Sequence, residues 1–242
     1  MRNILVIVPT LNEKNNIIIL LKKLKLTKIL HDILFIDDNS KDGSQEVIKK
    51  IAKKNRNINY IFRPKKLGIG SAHKEGFVWS YKKKYRIIVT MDADGTHDPK
   101  YMKFMIQKLQ RSNYDVVTTS RFLKKNSLKN WPLFRIILTT LRHIAISFLL
   151  FMPYDASGAF RCINCRKVKL KDLILTKQDS YSYFWESLFI LYKKKYKILQ
   201  IPIQLPYRNV GSSKMQIKDV IFSLYYLMIV FVKKIFGQYN FQ

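Results

Sequence analysis

The chain has 242 residues, and 45 Lys and Arg against 16 Asp and Glu give it a formal net charge of +29. A hydrophobic fraction of 48% with 13% aromatics supports a packed core and excludes a disordered basic tail, and 8 Gly and 7 Pro exclude collagen-like and linker compositions. Two Cys exclude a disulfide scaffold and fit a reducing compartment, and the length favours one large domain.

Ile4–Val8 is a continuous apolar run that predicts a strand, and Asn12-Glu13 opens an apolar-periodic helix reaching about Lys25. Ile33–Ile36 predicts a second strand and Ser40 to Asn55 a second helix. Ile58–Phe62 is a third strand, followed by a helix over Ser71–Lys84. Ile87–Met91 is the fourth strand, Pro99–Arg111 a helix with Pro in its first turn, and Val116–Ser120 the fifth strand. Continuously apolar strands, each followed by a helix, predict an α/β fold with a parallel sheet covered on both faces.

The positive surplus favours an anionic partner: nucleic acid, an anionic membrane surface or a phosphorylated substrate. Part of it lies in two similar runs, Tyr81 to Arg86 and Tyr192 to Lys197, each ahead of a short apolar strand-like run. Lysines at a helix end are favoured there by the helix dipole. No signal peptide is expected, since Met1-Arg2-Asn3 leads straight into the first strand. No membrane span is expected either: Val220–Val232 is 13 residues long where about 20 are needed, and Leu133–Met152 is broken by Arg135, Arg142 and His143. Both stretches predict helices that lie on a membrane rather than cross it.

In a parallel α/β sheet, ligands bind beyond the carboxyl ends of the strands. The residues there are Pro9 to Glu13, Asp37 to Ser40, Asp92-Ala93-Asp94 and Arg121. An acid-poor chain thus gathers Glu13, Asp37, Asp38, Asp92 and Asp94 at one rim. Helix capping accounts for one or two of them. Asp92 and Asp94 together point to a cation, because like charges at close range repel unless one lies between them. A hard divalent ion bridging to substrate phosphates suits that donor set.

These residues resemble a known family. Val8-Pro9-Thr10-Leu11-Asn12-Glu13, Ile36 to Gly43 and Met91-Asp92-Ala93-Asp94 are similar to the inverting GT-A glycosyltransferases of family 2. Arg63 to Ala72, Asp94 to Pro99, Ser157 to Arg161 and Tyr207 to Lys214 resemble its polyprenol-phosphate (dolichol-phosphate) mannose synthases. The resemblance runs in order from about residue 4 to 215, as a catalytic domain over 1–215 with an interfacial helix region at 131–153 and an amphipathic, membrane-associated helix at 216–242.

It implies a GT-A, Rossmann-like, mostly parallel sheet and a hexosyltransferase moving mannose from GDP-mannose to a polyprenyl phosphate. Pro9, Leu11, Glu13, Ile36 and Asp38 would line the nucleotide pocket. Asp92, Ala93, Asp94 and Thr96 would hold the diphosphate, with Asp92, Asp94 and Thr96 around Mg2+ or Mn2+. Arg121, Arg208 and Lys214 would bind donor or acceptor phosphates, Arg161 would join them at the acceptor, and Asp92, Asp94 and Arg121 would be catalytic. Leu11 stands where the family often has an aromatic, Thr96 where it has Gln or Ser, and Tyr183-Phe184-Trp185-Glu186 lacks the Gln of a Phe-Gln-x-Glu pattern.

A sugar hydroxyl acceptor needs a general base. Relatives that use one carry an acidic pair well downstream of the DxD; between Tyr181 and Leu191 only Glu186 is acidic. A lipid phosphate is already anionic and needs cations instead. The rival enzyme reading is a family 2 transferase with a hydroxyl acceptor in polysaccharide or lipopolysaccharide synthesis, or with UDP-glucose or UDP-GlcNAc as donor. A nucleic-acid module fits the charge but not the acidic rim. The expected setting is peripheral, on the cytoplasmic face of a membrane, with the oligomeric state left open. Cys162 and Cys165 lack the second pair a metal site needs. Gly68-Ile69-Gly70 lacks the third glycine of a dinucleotide fingerprint, and His97 is a candidate partner of the metal site or a helix-start residue.

Overall fold

A computed structural model describes residues 3–206 and 217–237. Its strands are β1 (Ile4–Thr10), β2 (Asp32–Asp37), β3 (Ile58–Phe62), β4 (Ile87–Thr90), β5 (Val116–Ser120), β6 (Arg161–Asn164) and β7 (Ile198–Pro202). They form one sheet in the order β3-β2-β1-β4-β6-β5-β7. Every pairing is parallel except those of β6, which runs antiparallel to β4 and β5. The helices are α1 (Lys14–Leu26), α2 (Ser44–Lys54), α3 (Ile69–Lys82), α4 (Tyr101–Arg111), α5 (Leu133–Leu150), α6 (Leu170–Leu173), α7 (Tyr183–Lys193) and α8 (Ile217–Ile235).

β1 shows why the strands read as continuously apolar. Leu5 and Ile7 face one core with Leu34, Ile36 and residues of α3, α5 and α7, while Val6 and Val8 face a second core with α1, α2 and α4. Both faces are covered, so alternation vanishes. The topology then places a crevice. The chain winds from β1 out to β3, returns through α3 and continues at β4 on the other side of β1. Winding reverses between β1 and β4, and ligands bind at such switch points.

The crevice opens because pairing stops. β1 pairs with β4 only as far as Ile7 opposite Thr90, with the Met91 amide donating to the Ile7 carbonyl at 3.1 Å. Pro9, two residues on and facing the same neighbour, has no ladder partner there to lose, so a proline is tolerated in a central strand. On the other side β1 stays paired with β2 to Thr10 opposite Asp37.

Two boundaries differ from the sequence expectation. α2 begins at Ser44 rather than Ser40, because the Ser40 amide and hydroxyl both donate to Asp37 (2.8 and 2.5 Å). β6 was not anticipated: Arg161, Cys162 and Asn164 hide its strand character.

α5 is, among the described residues, a helix long and apolar enough to cross a membrane, with mean hydropathy 1.7, where no span was expected. The rest of the fold leaves most of it bare, Leu133 and Phe148 being 72% and 71% exposed. α8 is tied into the α7 core. Tyr226, Leu227 and Val230 are buried, the Trp185 indole donates to the Ser223 hydroxyl at 3.1 Å, and Lys234 donates to the Leu149 carbonyl of α5 at 3.1 Å. Its other face leaves Ile221 and Tyr225 exposed, and α8 packs beside α5.

Candidate active site

On the β1–β2 side of the crevice, carboxylates and hydroxyls lock two loops together. Asp37 accepts from the Ser40 amide and hydroxyl, from the Gln45 side-chain amide at 2.8 Å and from Thr10 at 3.2 Å. Asn12 and Asn39, both at positive φ, shape these loops. The Asn12 amide donates to the Ser40 hydroxyl while the Asn12 side-chain oxygen accepts from the Lys41 amide, each at 2.8 Å. Glu13 closes the segment, its amide donating to Ser44 and its carboxylate accepting from Asn16 at 2.6 Å.

Asp38 is buried and organises a third loop. It accepts from Arg63 at 3.1 Å and from the amides of Leu67 and Gly68 at 2.7 and 2.9 Å. Gly68 has φ +96, and a Cβ there would strike the Asp179 carbonyl, so the turn requires glycine. Pro9, Leu11, Glu13, Ile36 and Asp38 are therefore gathered along one rim by β1 and β2.

Across the crevice, β4 hands over to Asp92-Ala93-Asp94. Met91 and Ala93 are buried and Asp92 is partly exposed, which turns its carboxylate toward solvent. The Asp92 amide donates to His97 Nδ1 at 3.0 Å, so that nitrogen is the acceptor and the proton sits on Nε2. Burial pulls the His97 pKa down to about 4, with Arg121 pushing the same way and Asp94 opposing. The 3.7 Å approach of His97 to Asp92 Oδ2 is thus a contact with a neutral ring, not an ion pair. Asp94 Oδ1 accepts from both the Thr96 amide (3.0 Å) and hydroxyl (2.7 Å). Thr96, expected among the metal ligands, is placed to orient Asp94.

This donor set fits a hard divalent cation. Its oxygens are carboxylate, and among the described residues no group of three or more His, Cys, Asp or Glu is arranged as a complete cage. A small oxygen-seeking cation held by one or two carboxylates completes its shell with water and substrate phosphate.

Beyond β5, Arg121 is held by Asp155: Nε and the backbone amide both donate to Oδ2, at 2.9 and 3.1 Å, and Nη2 donates to Ser157 at 2.9 Å. Burial pushes the Asp155 pKa up, but the Arg121 charge and hydrogen bonds prevail and hold it below the usual carboxylate range. Arg121 thus keeps its charge in a fixed orientation on the β4 side of the crevice.

Arg161 is a correction. It was expected at the acceptor phosphate, yet it is buried under the sheet with every nitrogen engaged. Nε donates to the Gly158 carbonyl (3.1 Å), Nη1 to Ser187 (2.7 Å), and Nη2 to the carbonyls of Ala156 (3.1 Å) and Phe184. Four of its five N–H donors hold the β6 approach to α7, which commits the side chain to the core rather than to a ligand. Glu186 is equally occupied: fully buried, it accepts from the amides of Lys177 and Gln178 at 3.0 Å each and from the Tyr226 hydroxyl at 2.7 Å. Arg208 and Lys214 lie outside the described residues.

The profile described as Glycosyl transferase family 2 matches residues 5–169, well over half of the chain and all of the crevice just described. The chain belongs to glycosyl transferase family 2. Two curated relatives are each 26% identical over 213 residues. One is the polyprenol monophosphomannose synthase of Mycolicibacterium smegmatis, aligned over 87% of this chain and 80% of its own length. The other is the undecaprenyl-phosphate mannosyltransferase of Micrococcus luteus, aligned over 88% and 87%. Among solved structures, glucosyl-3-phosphoglycerate synthase of Mycobacterium tuberculosis, in complex with Mn2+, UDP and glucosyl-3-phosphoglycerate, superposes with a TM-score of 0.65 at 14% identity, covering 96% of this chain and 79% of that one. Mannosyl-3-phosphoglycerate synthase of Rubrobacter xylanophilus gives 0.62 at 11% identity, covering 98% and 74%. The fold of this family 2 transferase is GT-A.

Sequence reasoning passed over Asp155 and named Arg63 only within a matching stretch, without a role; they position Arg121 and Asp38 in this transferase. Asp155 carried one readable signal, an acid in an acid-poor chain two residues before Ser157. Its partner lies 34 residues away, so no local spacing exposes the pair.

Proposed function

We propose that this chain is an inverting hexosyltransferase that moves a sugar, in our reading mannose from GDP-mannose, onto a polyprenyl phosphate. The observation that carries the acceptor assignment is Glu186. The sole acid in the segment where a hydroxyl-using relative would place its base is buried and spent on two backbone amides and Tyr226. An acceptor that is already anionic needs no base, and Arg121 stands fixed nearby as a cation. Membership of family 2 and the names of the two mannose-transferring relatives support the same reading.

In this mechanism the nucleoside lies along Pro9, Leu11, Glu13, Ile36 and Asp38, and the diphosphate reaches Asp92-Ala93-Asp94. A Mg2+ or Mn2+ bound there would offset the charge that grows on the departing diphosphate. Asp92 and Asp94 would hold that ion, while Thr96 fixes Asp94 and the neutral His97 ring accepts from the Asp92 backbone amide. Arg121, pre-aligned by Asp155, stabilises phosphate charge without reorganising during the reaction, with Arg208 and Lys214 assigned to the same task. The acceptor phosphate attacks the anomeric carbon from the face opposite the diphosphate, inverting it.

The exposed apolar sides of α5 and α8, with Lys233 and Lys234 at the end of α8, form the surface we assign to the cytoplasmic face of a membrane. α8 is part of the core, so substitutions at exposed Ile221 and Tyr225 probe that docking more cleanly than removal of residues 216–242. The test of the mechanism is Asp94→Ala. It should lose transfer at least a hundredfold with an unchanged melting temperature, and excess chelator should do the same to the wild type. Full activity in either case refutes the metal-diphosphate assignment.

A further inference from the structure

A line of hydrogen bonds joins α8 to the rim of the crevice. On α8, the Tyr226 hydroxyl donates to Glu186 Oε1 at 2.7 Å in the buried seam with α7. Glu186 also accepts from two consecutive backbone amides, Lys177 on Oε1 and Gln178 on Oε2, each at 3.0 Å. Hydrogen bonds to a carboxylate are roughly twice as strong as neutral ones. One fully buried side chain thus fixes the backbone of the segment that leads from α6 into α7.

The next residue, Asp179, reaches the crevice side. Its carbonyl accepts from the Gly70 amide at 2.8 Å, at the start of α3. The same carbonyl occupies the space that a Cβ on Gly68 would need, so the two backbones lie in contact. Lys74, one turn further along α3, ties the segment from its other side. It donates to the Thr176 carbonyl at 2.6 Å and pairs with the Asp179 carboxylate at 3.0 Å.

The turn that leans on Asp179 is the one that holds Asp38. The Leu67 and Gly68 amides donate to the Asp38 carboxylate at 2.7 and 2.9 Å. Glycine has the widest backbone freedom of any residue, so the shape of this turn depends on what it rests against. It rests against Asp38 on one side and Asp179 on the other. A buried polar network whose members are satisfied rigidifies its surroundings, and this one ends at the rim assigned to the nucleotide.

We propose that Glu186, backed by Tyr226, is a positioning residue for the nucleotide: it holds residues 177–179 against the Gly68 turn, and the turn fixes Asp38. This rests on the assignment of Asp38 to the nucleotide pocket and names the distant side chains that keep that pocket in shape.

The experiment uses the full chain with Tyr226→Phe, Glu186→Gln and, as a control, Ser223→Ala. Phe keeps the ring whose centroid lies 5.4 Å from that of Trp185 and loses only the hydroxyl. Ser223→Ala removes a different bond between the same two helices, the one from the Trp185 indole, and leaves Glu186 untouched. GDP and UDP, each with Mg2+, are titrated into every protein without acceptor, at a temperature where all stay folded. Whichever nucleotide the wild type binds should bind about threefold more weakly to Tyr226→Phe and about tenfold more weakly to Glu186→Gln. Ser223→Ala should bind it as the wild type does. Hydrogen exchange at the Leu67 and Gly68 amides should quicken in Glu186→Gln while the amides of β1 and β2 exchange as in wild type, a pattern that general loosening of the fold does not give. Wild-type nucleotide affinity in Tyr226→Phe overturns the proposal, and that variant decides alone should Glu186→Gln fail to fold. A loss in Ser223→Ala equal to that in Tyr226→Phe also overturns it, since helix packing would then be the cause. A wild type that binds neither nucleotide would refute the pocket assignment itself, a result separate from any difference among the variants. A wild type that binds nucleotide as described yet transfers no sugar to polyprenyl phosphate would refute the functional reading and leave this proposal standing.

Discussion

Replacing Arg161 by Met separates a structural arginine from a ligand-binding one. Met keeps most of the stem volume and removes all the donors. The Phe184 carbonyl retains a partner, because the Ser187 hydroxyl also donates to it at 3.1 Å. The carbonyls of Gly158 and Ala156 lose the Arg161 bonds, and each buried group left unsatisfied costs about 1–3 kcal/mol. Relief from desolvating a guanidinium offsets part of that, so a net loss of about 2–4 kcal/mol is expected. Urea unfolding followed by tryptophan fluorescence would read it as a lower midpoint with an unchanged slope, Trp185 lying one residue beyond the Phe184 carbonyl. At a temperature where the variant stays folded, its KM for the acceptor should remain within twofold of wild type. A variant as stable as wild type whose acceptor KM rises tenfold would refute the reasoning and return Arg161 to the acceptor site.

Two further outcomes follow from buried ionisable groups. Asp155→Asn removes the charge that aligns Arg121 and should lower kcat/KM about tenfold to a hundredfold, a loss of roughly 1.4–2.7 kcal/mol of transition-state stabilisation. Because the folded pKa of Asp155 is depressed, its stabilising contribution is complete above the unfolded carboxylate range near pH 4 and fades as pH falls through the lower folded value. The variant should therefore lose stability at neutral pH and show a shallower acid limb, and an acid limb identical to wild type would contradict the pairing. His73 is buried with Nε2 unpartnered, and burial first, then Arg161, His97 and Arg63, lower its pKa to about 3. The unfolded chain takes up that proton from about pH 6.5 downward, so stability falls with decreasing pH between about 6.5 and 3, by roughly 1.4 kcal/mol per pH unit. With His97 behaving alike down to about pH 4, His73→Phe should remove about half of the slope between pH 6 and 4.5. An unchanged slope in denaturant titrations would show that His73 does not titrate with unfolding.

Much of this protein was legible because its two cores and its rim obey simple rules. Strands such as Leu5–Val8 are apolar at every position when helices cover both faces, so the first five strands could be read from the sequence, whereas their order in the sheet could not. Asp92 and Asp94 stood out because acids are rare in the chain. The misreadings share one cause, a polar residue whose partner is distant in sequence or hidden by the fold. Ser40 resembles a helix cap, but Asp37 takes both its donors. Arg161 resembles a phosphate ligand, but three carbonyls and Ser187, up to 26 residues away, take its donors first.

The account turns on what accepts the sugar. Purified full-length protein, with Mg2+ or Mn2+ and a polyprenyl phosphate in mixed micelles, should be offered radiolabelled GDP-mannose beside UDP-glucose and UDP-GlcNAc, and the organic and aqueous phases counted. The account predicts label in the organic phase from GDP-mannose, dependent on the lipid phosphate and abolished in Asp94→Ala. Label that enters polysaccharide or a neutral lipid alcohol, with none on polyprenyl phosphate from any donor, would contradict it.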